Sequence, residues 1–405
     1  MLRSTFLFFL IFQIYTQPIF AQNQSLQSII SFGADSKDFL GLQNHSRYSG
    51  AGNSKLAIRY ELGGLSSKLA LNYDETIKSN FDGSYLQYNS GIATYGLGAI
   101  DRHWSFSNKT SLILSHNARP VNSIYLKLED KFETNWLPKN SNWSFEVFNG
   151  FTNGSLNNTD SMLLGARAIL SPIAGLNFEL VQTSQWGGDN YEAGLSALAS
   201  ALFMDTNDSS NSNINKMSGF GFSYLTNKSL ISTRIYGQAI GEDEAGNLPS
   251  CYAFMAGLEW TNTKIKYPLT IGIETTDTRT KTTTHGNCGP NTFYNNSTYS
   301  YTNYGVGLGA EIDTESSSLE LFGNSKISQQ INIEYSTKLA IINDKNWSSH
   351  RLSTNRQSGL LNSIGVSWVK NNFKIDGNIH YQDFFLDKVN IKGGYGVGLS
   401  SHITF

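Results

Sequence analysis

From residue 54 onward the chain repeats a period of two. Leu56, Ile58, Tyr60 and Leu62 alternate with Ala57, Arg59 and Glu61, and the spacing returns at Leu69, Leu71 and Tyr73 and at Ile124, Leu126 and Leu128. It recurs at Trp143, Phe145 and Val147, at Leu176, Phe178 and Leu180, and at Ile375, Ile379 and Tyr381. Successive side chains of a strand point to opposite faces, so this spacing predicts strands with one apolar and one mostly polar side. Turn-forming clusters such as Gly63-Gly64 and Asn371-Asn372 separate them, and helical spacing is rare. After residue 21 no apolar run reaches the roughly 18 residues that a spanning helix needs.

Alternation alone fits a soluble sandwich as well as a barrel in lipid. Composition makes a lipid-facing exterior one candidate, with 13% of residues aromatic and only 15% charged where a soluble domain carries about 25% charged, and the number of alternating segments favours the barrel. The N-terminus adds an export signal. Arg3 precedes an apolar run over residues 6–12, and Ala21 before Gln22 makes an acceptable cleavage site, so residues 1–21 are expected to be a Sec signal peptide. The last residues complete the case. Tyr395, Val397, Leu399, Ile403 and Phe405 share one face of a closing strand, with Gly396, Gly398, Ser400 and His402 on the other. A terminal aromatic closing such a strand resembles the signal read by the barrel assembly machinery, and a closed barrel is the β architecture that satisfies every backbone group in lipid.

The expected architecture is therefore all-β: a closed antiparallel transmembrane outer-membrane β-barrel over 54–405, with long extracellular loops and a short N-terminal periplasmic segment over 22–53. Candidate spans from residue 54 number 18, with 16 as the alternative, because long connections at 281–303 and 343–357 fall on opposite sides in this assignment. Long loops are expected near 189–215, 281–303 and 343–358. Tyr304 to Gly309, in which Gly305, Gly307 and Gly309 alternate with Val306 and Leu308, reads as a strand with one bare face, since no helix follows to make a nucleotide-binding turn. Asp205-Thr206-Asn207-Asp208-Ser209 lacks the Gly and closing Glu of a calcium loop and reads as solvated. Cys251 and Cys288 stay open between a disulfide and two thiols.

Catalytic and metal-binding patterns are missing from the sequence. The seven histidines are scattered, and no His-Glu-x-x-His, Cys-x-x-Cys, nucleophile elbow or phosphate loop occurs, so neither an enzyme nor a metal or cofactor is expected. Lys and Arg total 30 against 32 Asp and Glu, which argues against nucleic acid. Three clusters carry chemistry: Asp101-Arg102-His103-Trp104 with the following Ser111 to Pro120, which includes Asn117 and Arg119; Gln185-Trp186-Gly187-Gly188; and Gly241-Glu242-Asp243-Glu244-Ala245-Gly246. Indole faces cover apolar patches of sugars, carboxylates and amides bond hydroxyls, and Arg forks onto sugar carboxylates. The competing reading is a lumenal network that braces the wall, with each Arg neutralised by an acid.

At these residues the chain resembles the Wzi-type capsule assembly proteins of the outer membrane. Asp101-Arg102 with Trp104, Ser111 to Pro120, Gln185-Trp186-Gly187-Gly188, Met217-Ser218-Gly219-Phe220 and Gly241 to Ser250 carry the likeness in family order over about 150 residues. The chain departs at His103, where the family has a second Trp, and at Ser105-Phe106, where it has Gly-Pro. The resemblance implies an 18-stranded outer-membrane barrel of a Gram-negative cell that attaches capsular polysaccharide, or a related exopolysaccharide, as a lectin without catalysis. A helical periplasmic bundle would be reduced here to one short helix near residues 25–32. Partners are then the polysaccharide, outer-membrane lipid and the assembly machinery. The residues expected to touch glycan are Asp101, Arg102, Trp104, Asn117, Arg119, Gln185, Trp186, Glu242, Asp243 and Glu244. The alternative is a passive diffusion channel whose selectivity those charges set.

Overall fold

The computed structural model describes residues 24–41, 52–74, 78–132, 138, 141–153, 160–189, 191–203, 214–228, 230–245, 248–280, 288–296 and 298–405. The expected signal peptide and Asp205 to Ser209 lie outside the described residues. The first half of the wall comprises β1 (Gln24–Asp35), β2 (Gly52–Leu62), β3 (Leu65–Asp74), β4 in two pieces (Lys78–Asn80 and Tyr85–Ser90), β5 (Ala93–Ala99), β6 (Asn122–Lys131), β7 (Asn142–Phe151), β8 (Met162–Ile173) and β9 (Leu176–Trp186). A short helix, α1 (Leu195–Phe203), precedes β10 (Asn215–Lys228), β11 (Ile231–Ala245), β12 (Leu248–Asn262) and β13 (Leu269–Asp277). The wall ends with β14 (Ser317–Lys326), β15 (Ile331–Ile342), β16 (Gln357–Lys370), β17 (Phe373–Gln382) and β18 (Gly394–Thr404).

Each strand pairs antiparallel with its neighbours. β1 pairs both with β2, Ile29 opposite Ala57, and with β18, Ile30 opposite Ile403, so the sheet closes and no edge is left unpaired. Both pieces of β4 pair with β3, one at Asn72 and the other at Lys68, and act as one stave with a kink at 81–84. The wall thus has 18 staves, as the family resemblance implied. The alternating residues fall as the period predicts: Leu56, Leu69, Ile124, Leu180, Tyr395 and Leu399 are exposed on the outside of the barrel.

Two sequence expectations are corrected. Residues 25–32 form no helix in a periplasmic segment, because they belong to β1. Leu26 and Phe32 face outward at 68% and 56% exposure, and the Ser31 hydroxyl meets His402 Nδ1 at 2.8 Å. Barrel closure requires a partner for β18, and that requirement overrides the helix-compatible spacing of Leu26, Ile29 and Ile30. Residues 304–309 form no stave either. Thr302–Asn303 and Val306–Gly307 make a small hairpin whose turn residues, Tyr304 and Gly305, have φ of +51° and +75°, the left-handed pair of a tight mirror-image turn. Removing that span and adding β1 keeps the total and resolves the side conflict, since the connections 278–316 and 343–356 then open at the same end. Cys251 and Cys288 form a disulfide that ties the base of β12 to the 278–316 connection.

The long connections share one end and the tight turns, such as 63–64, 174–175 and 371–372, share the other. The lumen holds in-folded chain. A buried apolar cluster of Leu112, Ile113 and Leu114 packs with Phe293, Tyr294, Tyr301 and Leu308, so the segments 100–121 and 288–316 fold back inside the wall. Irregular backbone at membrane depth must find protein partners, and the inward wall residues supply them. Gln238 Oε1 accepts from the Leu112 amide at 2.8 Å and its Nε2 donates to the Trp104 carbonyl at 2.7 Å. Arg234 donates to the Phe106 carbonyl at 2.5 Å, and Tyr294 and Tyr301 donate to the carbonyls of Leu112 and Ile113 at 2.6 and 2.7 Å.

Candidate functional site

Most residues that the sequence marks for glycan contact hold these in-folded segments in place. Arg102 is 8% exposed. Its Nε donates to Glu146 at 2.8 Å and Nη1 to Ser123 Oγ at 3.1 Å, and its guanidinium lies 4.0 Å from the Phe148 ring centroid. Trp104 was expected to stack on sugar, but its ring is 2% exposed and meets Phe148 edge-on with centroids 5.4 Å apart. Gly165 lets both rings close on the wall: a Cβ there would collide with Phe148 and stand 2.9 Å from the Trp104 ring. The second expected sugar platform, Trp186, is 3% exposed. It packs with Leu164, Ala201 and Ile214 and donates Nε1 to Asn149 at 3.2 Å, fastening α1 to the barrel.

The remaining candidates follow suit. Asn117 Nδ2 donates to the Gly307 carbonyl at 2.8 Å, joining the two in-folded segments. Arg119 grips Asp82 through two nitrogens at 2.7 and 3.0 Å, and its guanidinium sits 3.9 Å from the Tyr304 ring centroid. Gln185 donates to the Ser300 carbonyl at 2.9 Å. Glu242 accepts the Tyr294 amide. Asp243 and Glu244 lie where β11 and β12 extend past the other staves, opposite Ser250 and Pro249; their side chains are outside the described residues. The structure therefore brings Arg102, Trp104, Asn117 and Arg119 together along one segment and leaves Gln185, Trp186 and Glu242 at its periphery. All but Trp186, which holds α1, touch an in-folded connection.

Asp101 is the exposed member. Its carboxylate bonds His116 Nδ1 at 2.9 Å, with both side chains about one-third exposed, and His116 stacks on His103 with ring centroids 4.8 Å apart. The two imidazoles shift in opposite directions. Bonding to Asp101 raises His116 above its usual value, while burial, with the adjoining His116, lowers His103 to about 4. His103 Nε2 faces the Ser107 carbonyl at 2.8 Å, and Nδ1 is buried without a partner among the described residues, so a second ring proton would find no acceptor there. A released segment takes that proton below about 6.5 and the docked one resists it down to about 4, so docking weakens as pH falls through this window. The His116 contribution has the opposite sign: it is full below about 6.5 and fades as pH rises through the elevated value. Protection factors of the amides of 101–119, with the slowing of intrinsic base-catalysed exchange divided out, are expected to fall from pH 6.5 to 4 in the native chain and much less in His103→Phe; an equal fall in both would refute the assignment.

Sequence reasoning missed two aromatics that stay accessible on the connections. Tyr304 and Trp347 each keep 42% of their surface exposed. Trp347 sits in the 343–356 connection, its amide donating to Asn343 Oδ1 at 2.6 Å. Its signal was available: an indole inside the polar run Asn343-Asp344-Lys345-Asn346-Trp347-Ser348-Ser349. Tyr304 had none, because its exposure follows from the hairpin turn.

Comparison with known proteins adds an independent line. A family profile described as capsule assembly protein Wzi matches residues 12–396. An uncharacterized 55.8 kDa protein in the cps region of Klebsiella pneumoniae is 25% identical over 205 residues, covering 50% of this chain and 41% of that protein. The chain thus spans about two-fifths of that curated relative. Among solved structures, Wzi of Escherichia coli, described as an outer membrane protein involved in group 1 capsule assembly and a carbohydrate-binding β-barrel, superposes with a TM-score of 0.74 at 21% identity, over 93% of this chain and 84% of that one. OprD of Pseudomonas aeruginosa superposes with a TM-score of 0.55 at 9% identity, over 95% of both chains. At these identities the two structures speak for the fold.

Proposed function

Since the chain belongs to the Wzi capsule assembly family, we propose that it acts as an outer-membrane lectin, holding capsular or related polysaccharide at the cell surface without catalysis. One observation carries this reading: in-folded segments occupy the lumen, while Asp101, Tyr304 and Trp347 keep exposed surface on the connections. A plugged barrel offers a binding surface and little passage. Long connections of such barrels face outward and tight turns face the periplasm, which places these groups where surface glycan runs. Tyr304 and Trp347 supply faces for sugar C–H patches, and Asp101 with His116 supplies an acceptor and a donor for hydroxyls. Arg102, Trp104, Asn117, Arg119, Gln185, Trp186 and Glu242 position these groups by fastening the segments that bear them; Asp243 and Glu244 extend the same rim. Export through a signal peptide over 1–21, delivery by the barrel assembly machinery and seating in outer-membrane lipid complete the proposal.

Deleting the gene is expected to shift polysaccharide from the cell-bound to the released fraction. Complementation with Tyr304→Ala/Trp347→Ala is expected to restore a folded barrel but only part of the retention, because two lost stacking contacts weaken binding about tenfold. Unchanged retention in the deletion strain refutes the function. Full retention with the double variant refutes only the placement of the stacking residues.

A further inference from the structure

Among the described residues, most cations inside this barrel are paired with an acid. Arg102 meets Glu146, Arg119 meets Asp82, Arg167 meets Glu179, Arg234 meets Glu259, and Lys338 meets Glu311 and Glu320. Lys55 on β2 and Lys68 on β3 depart from that rule. Their strand neighbours Leu56 and Leu69 face outward, which turns both lysines toward the lumen. The two ammoniums converge: a Cβ placed on Gly83 would stand 3.8 Å from Lys55 Nζ and 3.9 Å from Lys68 Nζ. Gly83 has a φ of +85°, a conformation that glycine takes freely and side chains rarely do, so the point between the lysines stays clear.

Among the described residues neither ammonium has a hydrogen-bond or ion-pair partner within contact distance. The acids whose charge reaches Lys55 are Asp82 and Asp101, and both are engaged elsewhere. Asp82 accepts two hydrogen bonds from Arg119, and Asp101 bonds His116. The charged neighbour of Lys68 is Arg59, which repels it. Two like charges aimed at one half-buried point call for an anion between them. The arginines that sequence reasoning assigned to anionic sugars have spent their forks on Glu146 and Asp82; the lysines have not.

We propose that Lys55 and Lys68 form an anion subsite over Gly83 that takes an oxyanion substituent of the glycan, a sugar carboxylate or a phosphate. The source of the anion rests on the polysaccharide-binding reading above, whereas the site itself does not. Ammonium groups suit either oxyanion, each offering three rotatable donors as a compact point charge, so carboxylate and phosphate are separated by experiment. Neutral sugar would gain nothing from the pair.

The test is calorimetric titration of the full-length protein in detergent micelles, which leave both ends of the barrel open, at low ionic strength. The probes are an oligogalacturonate, inorganic phosphate and a neutral oligosaccharide of equal length. Native protein is expected to bind at least one of the two anions, with affinity falling as salt rises, and Lys55→Gln/Lys68→Gln is expected to bind it about tenfold or more weakly. The tighter of the two anions identifies the substituent. The neutral probe is expected to behave alike in both proteins. Single Lys55→Gln and Lys68→Gln variants, each with an intermediate loss, carry the test should the double variant fail to fold. Native protein that binds neither anion, or a folded variant that binds both as the native chain does, overturns the subsite. If the deletion strain retains its polysaccharide while phosphate still needs the lysines, the lectin reading fails and the anion subsite stands.

Discussion

A planar bilayer containing the purified protein is expected to stay silent, and to conduct once residues 103–118 are replaced by a short Gly-Ser linker. The wall by itself does not decide this, because 18-stranded barrels of this girth can carry a water-filled lumen. The in-folded segments decide it. Leu112 and Ile113 are fully buried, and their carbonyls are the acceptors for Tyr294 and Tyr301. Removing 103–118 therefore takes away one layer of the plug and the floor on which the 288–316 segment rests. It also strips Gln238 of both bonds to the segment, leaving polar wall groups that water will solvate. The Cys251–Cys288 disulfide still tethers the second layer at one point, so the released state should flicker, and reduction should lengthen its openings. Large steady conductance from the unmodified protein would sink the plugged-binder interpretation and favour a diffusion channel.

The same segments mark where sequence reasoning stops. Period-two alternation is local information, and it located the faces of β2, β3, β6, β7, β9 and β17 because Leu56, Leu69, Ile124, Phe145, Phe178 and Ile379 need only their own neighbours to be read. Residues 25–32 were ambiguous at that range: Leu26, Ile29 and Ile30 fit a helix stripe, and only the demand of β18 for a partner some 370 positions away selects the strand. Val306 and Leu308 alternate with glycine in the same way whether they line a wall or a buried hairpin, so the error there was built into the signal. At the site, residue types were legible and roles were not. Arg, Trp, Asn and acid in one motif fit sugar binding and fit plug bracing equally, since both need forked donors and aromatic bulk. Burial bears on the choice, and burial is a property of the closed barrel. Lys55 and Lys68 were invisible as a pair, because Gly83 brings them to one point only after β4 kinks.

The sharpest separation of bracing from ligand contact lies at Arg102 and Glu146. Glu146→Ala is expected to destabilise the barrel by about 3–5 kcal/mol, as loss of one partner leaves a buried guanidinium with its charge unopposed. The cation–π contacts with Phe148 and Tyr125, at 4.0 and 5.5 Å from the ring centroids, and the Ser123 hydroxyl soften this cost without cancelling it, because none carries a negative charge. Arg102→Met/Glu146→Leu removes both charges at similar volume, and apolar replacement of a buried pair is often close to neutral, so this variant is expected to recover most of the loss in urea unfolding from detergent. The physiological reading then divides the hypotheses. If Arg102 acts by holding the 100–121 segment, the double variant keeps Asp101, His116 and Tyr304 in place and retains polysaccharide at near-native levels. If Arg102 meets an anionic sugar directly, the variant folds and retention falls. The geometry favours the first outcome, because Glu146 and Ser123 occupy two of the guanidinium nitrogens and Phe148 covers its face. An unchanged unfolding midpoint in Glu146→Ala would show that the pair braces nothing, and the bracing interpretation of the whole motif would lose its strongest member.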